Sequence, residues 1–344
     1  MIQIAHLLDD FAMGGVTRAL SLFDEPRLRE ASRSVILPMQ RKMTEAPALE
    51  ADVIVIHVPP CFSRLPYLAA LRYRNPSAHI VQVEHSYTRS FEQQHVSSRV
   101  RFRILLRTAA SLVDEVVAVS KAQAAWLAEV GIDEHKISTI NPWSGRFELL
   151  DVPEWRPAAG PLKLLSYGRF SEEKNFTALV EAMGSFDGSE VELTLFGSGP
   201  EEAALMDLAA DMPNVRIEPA CDNPAQWLEK ADAVILPSRR EAFGLVATEA
   251  RMAGRAILVS DVDGLPEQAN AGGGRVAPMN TSEQITQAIR SLSQQDLGEM
   301  GRASRAGVYR QHDEIIHGWE NILERSSSCS PCTGLEQLRK LASV

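Results

Sequence analysis

The sequence predicts an α/β protein of two Rossmann-like, doubly wound domains facing across a cleft, and three observations carry that expectation. The chain has 344 residues, more than a single hydrophobic core usually serves. Short apolar runs alternate with amphipathic stretches, the pattern of parallel sheets covered by helices. The alternation breaks between residues 141 and 161, where four prolines and two glycines read as a linker.

In the first half, the apolar runs Ile2–Leu8, Val35–Leu37, Val53–Val58, Ile80–Val83, Val116–Val119 and Ile137–Ile140 read as strands, with helical patterns between most of them. After the linker the pattern restarts with strands at Leu162–Tyr167, Val191–Phe196, Val215–Ile217, Ala233–Leu236 and Ala256–Val259. The stretch Thr281–Glu324 reads as consecutive helices. The expected division is therefore 1–157, 158–325 and a tail, 326–344. Ligands of such folds bind beyond the carboxyl ends of the strands, so the chemistry belongs on the loops that follow them.

Composition narrows the function. Apolar residues make up 45% and charged residues 23%, as in ordinary globular proteins, and no run approaches the roughly 20 apolar residues of a membrane span. The start reads as a strand instead of a signal peptide, so the expected location is the cytoplasm. Residues 1–157 carry 18 basic and 18 acidic side chains; the remainder carries 17 and 27, so the net charge of −10 lies in the second half. A broad basic face is missing, which argues against nucleic acid as a partner. Four cysteines are too few for a disulfide scaffold, and Cys329-Ser-Pro-Cys332, with no second pair nearby, reads as tail.

The densest constellation is Glu241-Ala-Phe-Gly-Leu-Val-Ala-Thr-Glu249, which follows a buried strand and enters a helix. Amides around Phe243, Gly244 and Leu245 would be free donors at that helix start, where a phosphate fits. Glu241 would project from the loop and Glu249 from the helix face, each able to accept two hydrogen bonds from a vicinal diol. Upstream, Gly168-Arg169 and Lys174-Asn175 put two cations on the loop after another strand, where they can stabilise charge developing on a leaving diphosphate. Gly197-Ser-Gly199-Pro200 and Asp263-Gly-Leu-Pro-Glu267 add further loops at strand ends.

In this order the motifs resemble the family 4 glycosyltransferases (GT4), which have the GT-B fold, and the resemblance covers essentially the whole chain. It implies a retaining hexosyltransferase that uses a nucleoside-diphosphate sugar, UDP-linked in most members, and needs no metal or other cofactor. No Asp-x-Asp metal motif stands between the strands. The resemblance places Glu241 on the donor sugar, Glu249 on the ribose, and Arg169 and Lys174 on the diphosphate. Ala242 replaces the glycine that usually follows the first glutamate.

In the first half, Gly14-Gly15-Val16-Thr17-Arg18 resembles the family's amino-terminal glycine loop, with Gly15 toward the donor and Thr17 and Arg18 toward donor phosphate or acceptor; a plain strand–helix turn fits equally well. Neither this segment nor Gly197–Gly199 completes a Rossmann dinucleotide fingerprint. His85, at a strand end, resembles the family's active-site histidine, which contacts the donor sugar's exocyclic oxygen. His57 reads as structural, and Ser120 as a residue lining an acceptor path. Arg99, Arg103 and Arg107 fall on one helix stripe, either a solvated face or a surface for anionic lipid, which would hold the protein peripherally at the inner face of a membrane. The expected acceptor is a lipid, a lipid-linked glycan or another hydroxyl compound. A sugar-nucleotide epimerase or phosphorylase, a non-catalytic nucleotide-sugar-binding partner and a lipid-surface scaffold are the alternatives.

Overall fold

A computed structural model of the chain describes residues 1–11, 14–270 and 273–328. Cys329 and Cys332, with most of the expected tail, lie outside the described residues. Contacts divide the chain into two compact units, Met1–Gly145 together with the chain from Asp313 onward, and Arg146–His312.

Unit 1 holds a parallel six-stranded sheet of β1 (Ile2–Leu8), β2 (Ser32–Pro38), β3 (Val53–Ile56), β4 (His79–Glu84), β5 (Glu115–Ala118) and β6 (Ile137–Thr139). Their order is β2-β1-β3-β4-β5-β6. The central strand β3, Val-Ile-Val-Ile, is buried along its whole length because helices cover both faces of a parallel sheet. At the edge, β2 leaves Val35 and Ile36 exposed. The helices are α1 (Gly15–Ala19), α2 (Pro26–Ala31), α3 (Leu65–Arg74), α4 (Arg89–His95), α5 (Arg99–Ser111) and α6 (Lys121–Val130).

Unit 2 repeats the plan with β7 (Leu162–Arg169), β8 (Val191–Ser198), β9 (Val215–Pro219), β10 (Ala233–Leu236), β11 (Ala256–Ser260) and β12 (Gly274–Ala277), in the order β12-β11-β10-β7-β8-β9. Around them lie α7 (Phe176–Met183), α8 (Glu202–Ala209), α9 (Ala225–Lys230), α10 (Leu245–Met252), α11 (Leu265–Asn270), α12 (Ser282–Leu292) and α13 (Leu297–Ser328). The sequence pattern did not reveal β12, whose residues Gly-Arg-Val-Ala are too short and mixed to signal a strand. It completes the edge by pairing with β11.

Both units are Rossmann-like. In each, strand order reverses beside the first strand, between β1 and β3 in unit 1 and between β7 and β10 in unit 2. Ligand sites of open α/β sheets form at such reversals.

The division differs from the expected one at both ends. Unit 2 begins at Arg146, and the chain returns to unit 1 at Asp313, inside α13. The reason is the apolar stripe Ile315, Ile316, Trp319, Ile322 and Leu323, all buried, with the Trp319 ring 5.0 Å from that of Phe23. Arg325 adds a 2.6 Å ion pair to Glu115 beneath β5. Helical periodicity announces the stripe but not which core it joins.

Candidate functional site

The loops at the β7/β10 reversal gather the unit 2 residues. Gly168, near the end of β7, has φ +138°, and a Cβ there would meet nothing within 4 Å. Gly197, its partner on β8, cannot carry a side chain, since a Cβ would stand 1.9 Å from the Gly168 carbonyl oxygen. One glycine closes the sheet and the other leaves open space above it. Arg169 follows, exposed, its side chain without a hydrogen bond or ion pair among the described residues.

The next turn ends in Asn175, whose left-handed conformation (φ +57°) asparagine tolerates better than most residues. Its amide donates to the Met279 carbonyl oxygen at 2.9 Å and its side-chain oxygen accepts from Arg239 Nε at 3.0 Å. This anchor holds Lys174, which forms an ion pair with Glu241 from the loop after β10. Glu241 is fixed through its backbone, its amide donating to Asp263 Oδ2 at 3.2 Å and its carbonyl accepting from the Gly264 amide at 3.1 Å. Asp-Gly-Leu-Pro-Glu therefore braces the loop that carries Glu241.

Gly244 caps α10 with φ +89°; a Cβ would stand 2.6 Å from Leu265 Cδ2. The amides of Phe243, Gly244 and Leu245 have no acceptor among the described residues. Three donors and the positive end of a helix thus converge beside the Lys174–Glu241 pair.

Glu249, on the second turn of α10, is 5% exposed. Tyr167 donates to its Oε2 at 2.6 Å, and Arg146 Nε stands 3.1 Å from its Oε1 as an ion pair. Burial and the neighbouring carboxylate hold the Tyr167 phenol well above its usual range, so it stays a donor. Its ring stacks on Phe196 with centroids 4.4 Å apart. Arg146 also donates to the Asp222 carbonyl oxygen. Sequence reasoning missed Tyr167 and Arg146. Tyr167 had a signal, its place just before Gly168 at the end of a strand; Arg146, inside the linker, had none.

In unit 1 three histidines line up across β1, β3 and β4. Nδ1 of His6 lies 3.0 Å from Nε2 of His57, and Nδ1 of His57 lies 3.0 Å from Nε2 of His85. Burial lowers all three, His6 to about 3, His85 to about 4, and His57 well below 6.5 with the other two imidazoles contributing. His57 and His85 border a recess whose other walls include Phe23, Val119, Trp143 and Trp319. His57 is buried and contacts both His6 and His85; His6, inside β1, carries no sequence signal of its own.

Residues 151–307 match the family model described as "Glycosyl transferases group 1", and residues 15–143 match "Glycosyltransferase Family 4". The chain belongs to the family 4 glycosyltransferases (GT4). Glycogen synthase of Mycobacterium tuberculosis is 29% identical over 63% of this chain and 51% of that protein, so the chain spans about half its length. The lipopolysaccharide 1,2-N-acetylglucosaminetransferase of Salmonella typhimurium is 25% identical over 84% of this chain and 74% of its own. The structure of Anabaena Alr3699/HepE in complex with UDP-glucose aligns with a TM-score of 0.75 at 17% identity, covering 96% of this chain and 100% of that one. The fold is GT-B.

Other residues expected at the GT4 site are placed as follows. Gly15 and Thr17 lie in α1, a helix of five residues, with Arg18, whose amide donates to the Gly14 carbonyl oxygen at 3.0 Å. Gly199, at the end of β8, approaches Phe170 so closely that a Cβ would stand 2.4 Å from its carbonyl oxygen. Ser120 is fully buried and its hydroxyl accepts from the Gln123 amide at 3.2 Å, so it caps α6 and does not line an acceptor path. Arg103 leaves the expected basic stripe: Glu92 accepts from it at 2.6 and 2.9 Å. Arg99 and Arg107 remain on α5 without ion pairs among the described residues, alongside exposed Val100 and Ile104. Arg101 lies 5.6 Å over the exposed ring of Phe62. Among the described residues no helix is long and apolar enough to cross a membrane.

Proposed function

We propose that this chain is a retaining hexosyltransferase that moves a sugar from a nucleoside diphosphate, with UDP as the carrier, to a lipid or lipid-linked glycan. The observation that carries this reading is the Lys174–Glu241 pair set beside three unpaired amides at the start of α10. A diphosphate seated there is met by the amides of Phe243, Gly244 and Leu245, by Arg169 and by Lys174. These groups absorb the charge of the departing nucleoside diphosphate without a metal or other cofactor.

Binding of the diphosphate draws Lys174 toward the phosphates and frees Glu241 to accept hydrogen bonds from the donor sugar's hydroxyls. Glu249, oriented by Tyr167 and Arg146, takes the ribose. The open space above Gly168 admits the donor close to the backbone. His85 contacts the exocyclic oxygen of the sugar, with Gly15, Thr17 and Arg18 on the adjoining glycine loop. The acceptor hydroxyl attacks from the face the leaving group vacates, with no protein nucleophile. UDP as carrier agrees with the UDP-glucose of the Anabaena complex.

The lipid reading of the acceptor rests on α5, where Val100 and Ile104 stand exposed among Arg99, Arg101 and Arg107, with the exposed ring of Phe62 beneath Arg101. Apolar side chains flanked by cations suit the interface of an anionic bilayer. The Salmonella relative is named for lipopolysaccharide.

The test is thermal stabilisation by UDP, GDP and ADP. UDP should raise the melting temperature most, and Arg169→Ala should remove the effect. No response to any of the three would refute the donor site.

A further inference from the structure

The histidine chain of unit 1 leads beyond the role expected of His85. A hydrogen bond between two neutral imidazoles needs an N–H on one ring and a lone pair on the other. With contacts at Nδ1 of His6 to Nε2 of His57, and Nδ1 of His57 to Nε2 of His85, a neutral chain has only two arrangements, one for each direction of donation. In one, His85 Nε2–H donates to His57 and the chain ends with an N–H on Nε2 of His6. In the other, His6 donates to His57, His57 donates to His85, and the chain ends with an N–H on Nδ1 of His85.

The two ends differ. Nε2 of His6 has no partner and no access to solvent, on a residue that is 1% exposed. His85 is half-buried at the carboxyl end of β4, and its Nδ1 has no protein partner among the described residues. Orphaned buried N–H groups are rarer than under-satisfied buried acceptors, so the proton is better carried at the His85 end, where a ligand or water can accept it. Protonating the whole chain is opposed by burial, which keeps all three rings neutral.

We propose that His57, itself oriented by His6, is a positioning residue that fixes the tautomer of His85, so that His85 presents an Nδ1–H donor to its ligand. A donor there selects an oxygen that can accept, and it spares the site from sorting tautomers as the ligand binds. The consequence for sugar transfer rests on the function proposed above; the tautomer itself does not.

The experiment is long-range 1H–15N correlation on the ligand-free, 15N-histidine-labelled full chain, with His85 assigned through His85→Asn. The expected result is a protonated Nδ1 and an unprotonated Nε2 on His85. In His57→Leu, where no donor remains, the His85 signals should move toward a mixture of tautomers. In His57→Gln they should stay near wild type, because the amide can accept from His6 and donate to His85. With UDP-glucose as donor, kcat/KM should fall about tenfold in His57→Leu, the effect of one hydrogen bond, and recover in His57→Gln. An unprotonated Nδ1 in the wild type, or an unchanged His85 tautomer in a folded His57→Leu, would overturn the proposal. The spectra need no turnover, so a chain without transferase activity would fail the functional reading and leave this one standing or falling by itself.

Discussion

Lys174 and Glu241 meet as an ion pair across the strand-order reversal of unit 2, one from the loop after β7 and the other from the loop after β10. Both side chains keep some exposure, 21% and 17%, and both backbones are anchored, Lys174 by its neighbour Asn175 and Glu241 by the Asp263-Gly264 turn. Their positions therefore do not depend on each other. Lys174→Ala should weaken UDP binding by about tenfold or more, while Glu241→Ala should leave UDP binding near normal and lower turnover by about 10²-fold or more. Stability should change by only about 1 kcal/mol in either variant, the scale of a partly exposed pair. Calorimetric titration with UDP, donor turnover and thermal melting separate these outcomes.

Gly168 and Gly197 face each other across β7 and β8, and identical substitutions there should give opposite results. Gly168→Ala meets no atom within 4 Å, so the fold should survive at a backbone cost of about 1–3 kcal/mol, while the added methyl obstructs the donor and raises the Kd for UDP. Gly197→Ala drives a methyl into the Gly168 carbonyl oxygen, and the protein should fail to fold or melt far below wild type. Equal UDP affinity in wild type and Gly168→Ala would contradict the placement of the donor.

The buried histidines set an acid limit on stability. Their folded pKa values lie below the unfolded value of 6.5, so the unfolded chain binds more protons, and stability falls as pH drops below 6.5 toward about 4. Glu84, buried and raised to about 7, works in the opposite sense between 4.5 and 7. Three lowered imidazoles outweigh one raised carboxyl, so protons are taken up on unfolding and stability falls between pH 6 and 5. Melting temperatures measured across that range should drop, and His6→Leu should make the drop shallower.

Tyr167→Phe removes a 2.6 Å hydrogen bond to a buried carboxylate. The expected loss is about 1.5–3 kcal/mol, seen as a melting point lower by several degrees, together with weaker UDP binding as Glu249 loses an orienting partner.

On α5, Arg107→Glu and Ile104→Asp should each reduce binding to phosphatidylglycerol vesicles at low salt, with thermal stability unchanged. Arg103→Ala should do the reverse: it breaks the contact to buried Glu92, lowering stability and sparing vesicle binding. Absence of vesicle binding by the wild type would remove the membrane reading.

By itself, the sequence determined the two parallel-sheet domains and the order of their loops, because strand and helix periodicities and glycine turns are local properties. That set Arg169, Lys174 and Glu241 at or just after strand ends, Gly244 at a helix start and Glu249 along the helix. Partnership was beyond it. Arg146 reaches Glu249 across 103 positions, and Trp319 joins the core of Phe23, because burial is decided by what folds back onto a face and not by the face itself. The same holds for Ser120 as a cap and for Arg103 on Glu92. It holds most plainly for His6, His57 and His85: only the side-by-side order β1-β3-β4 brings three separate histidines within 3.0 Å contacts of one another, and so decides which atom of His85 faces outward.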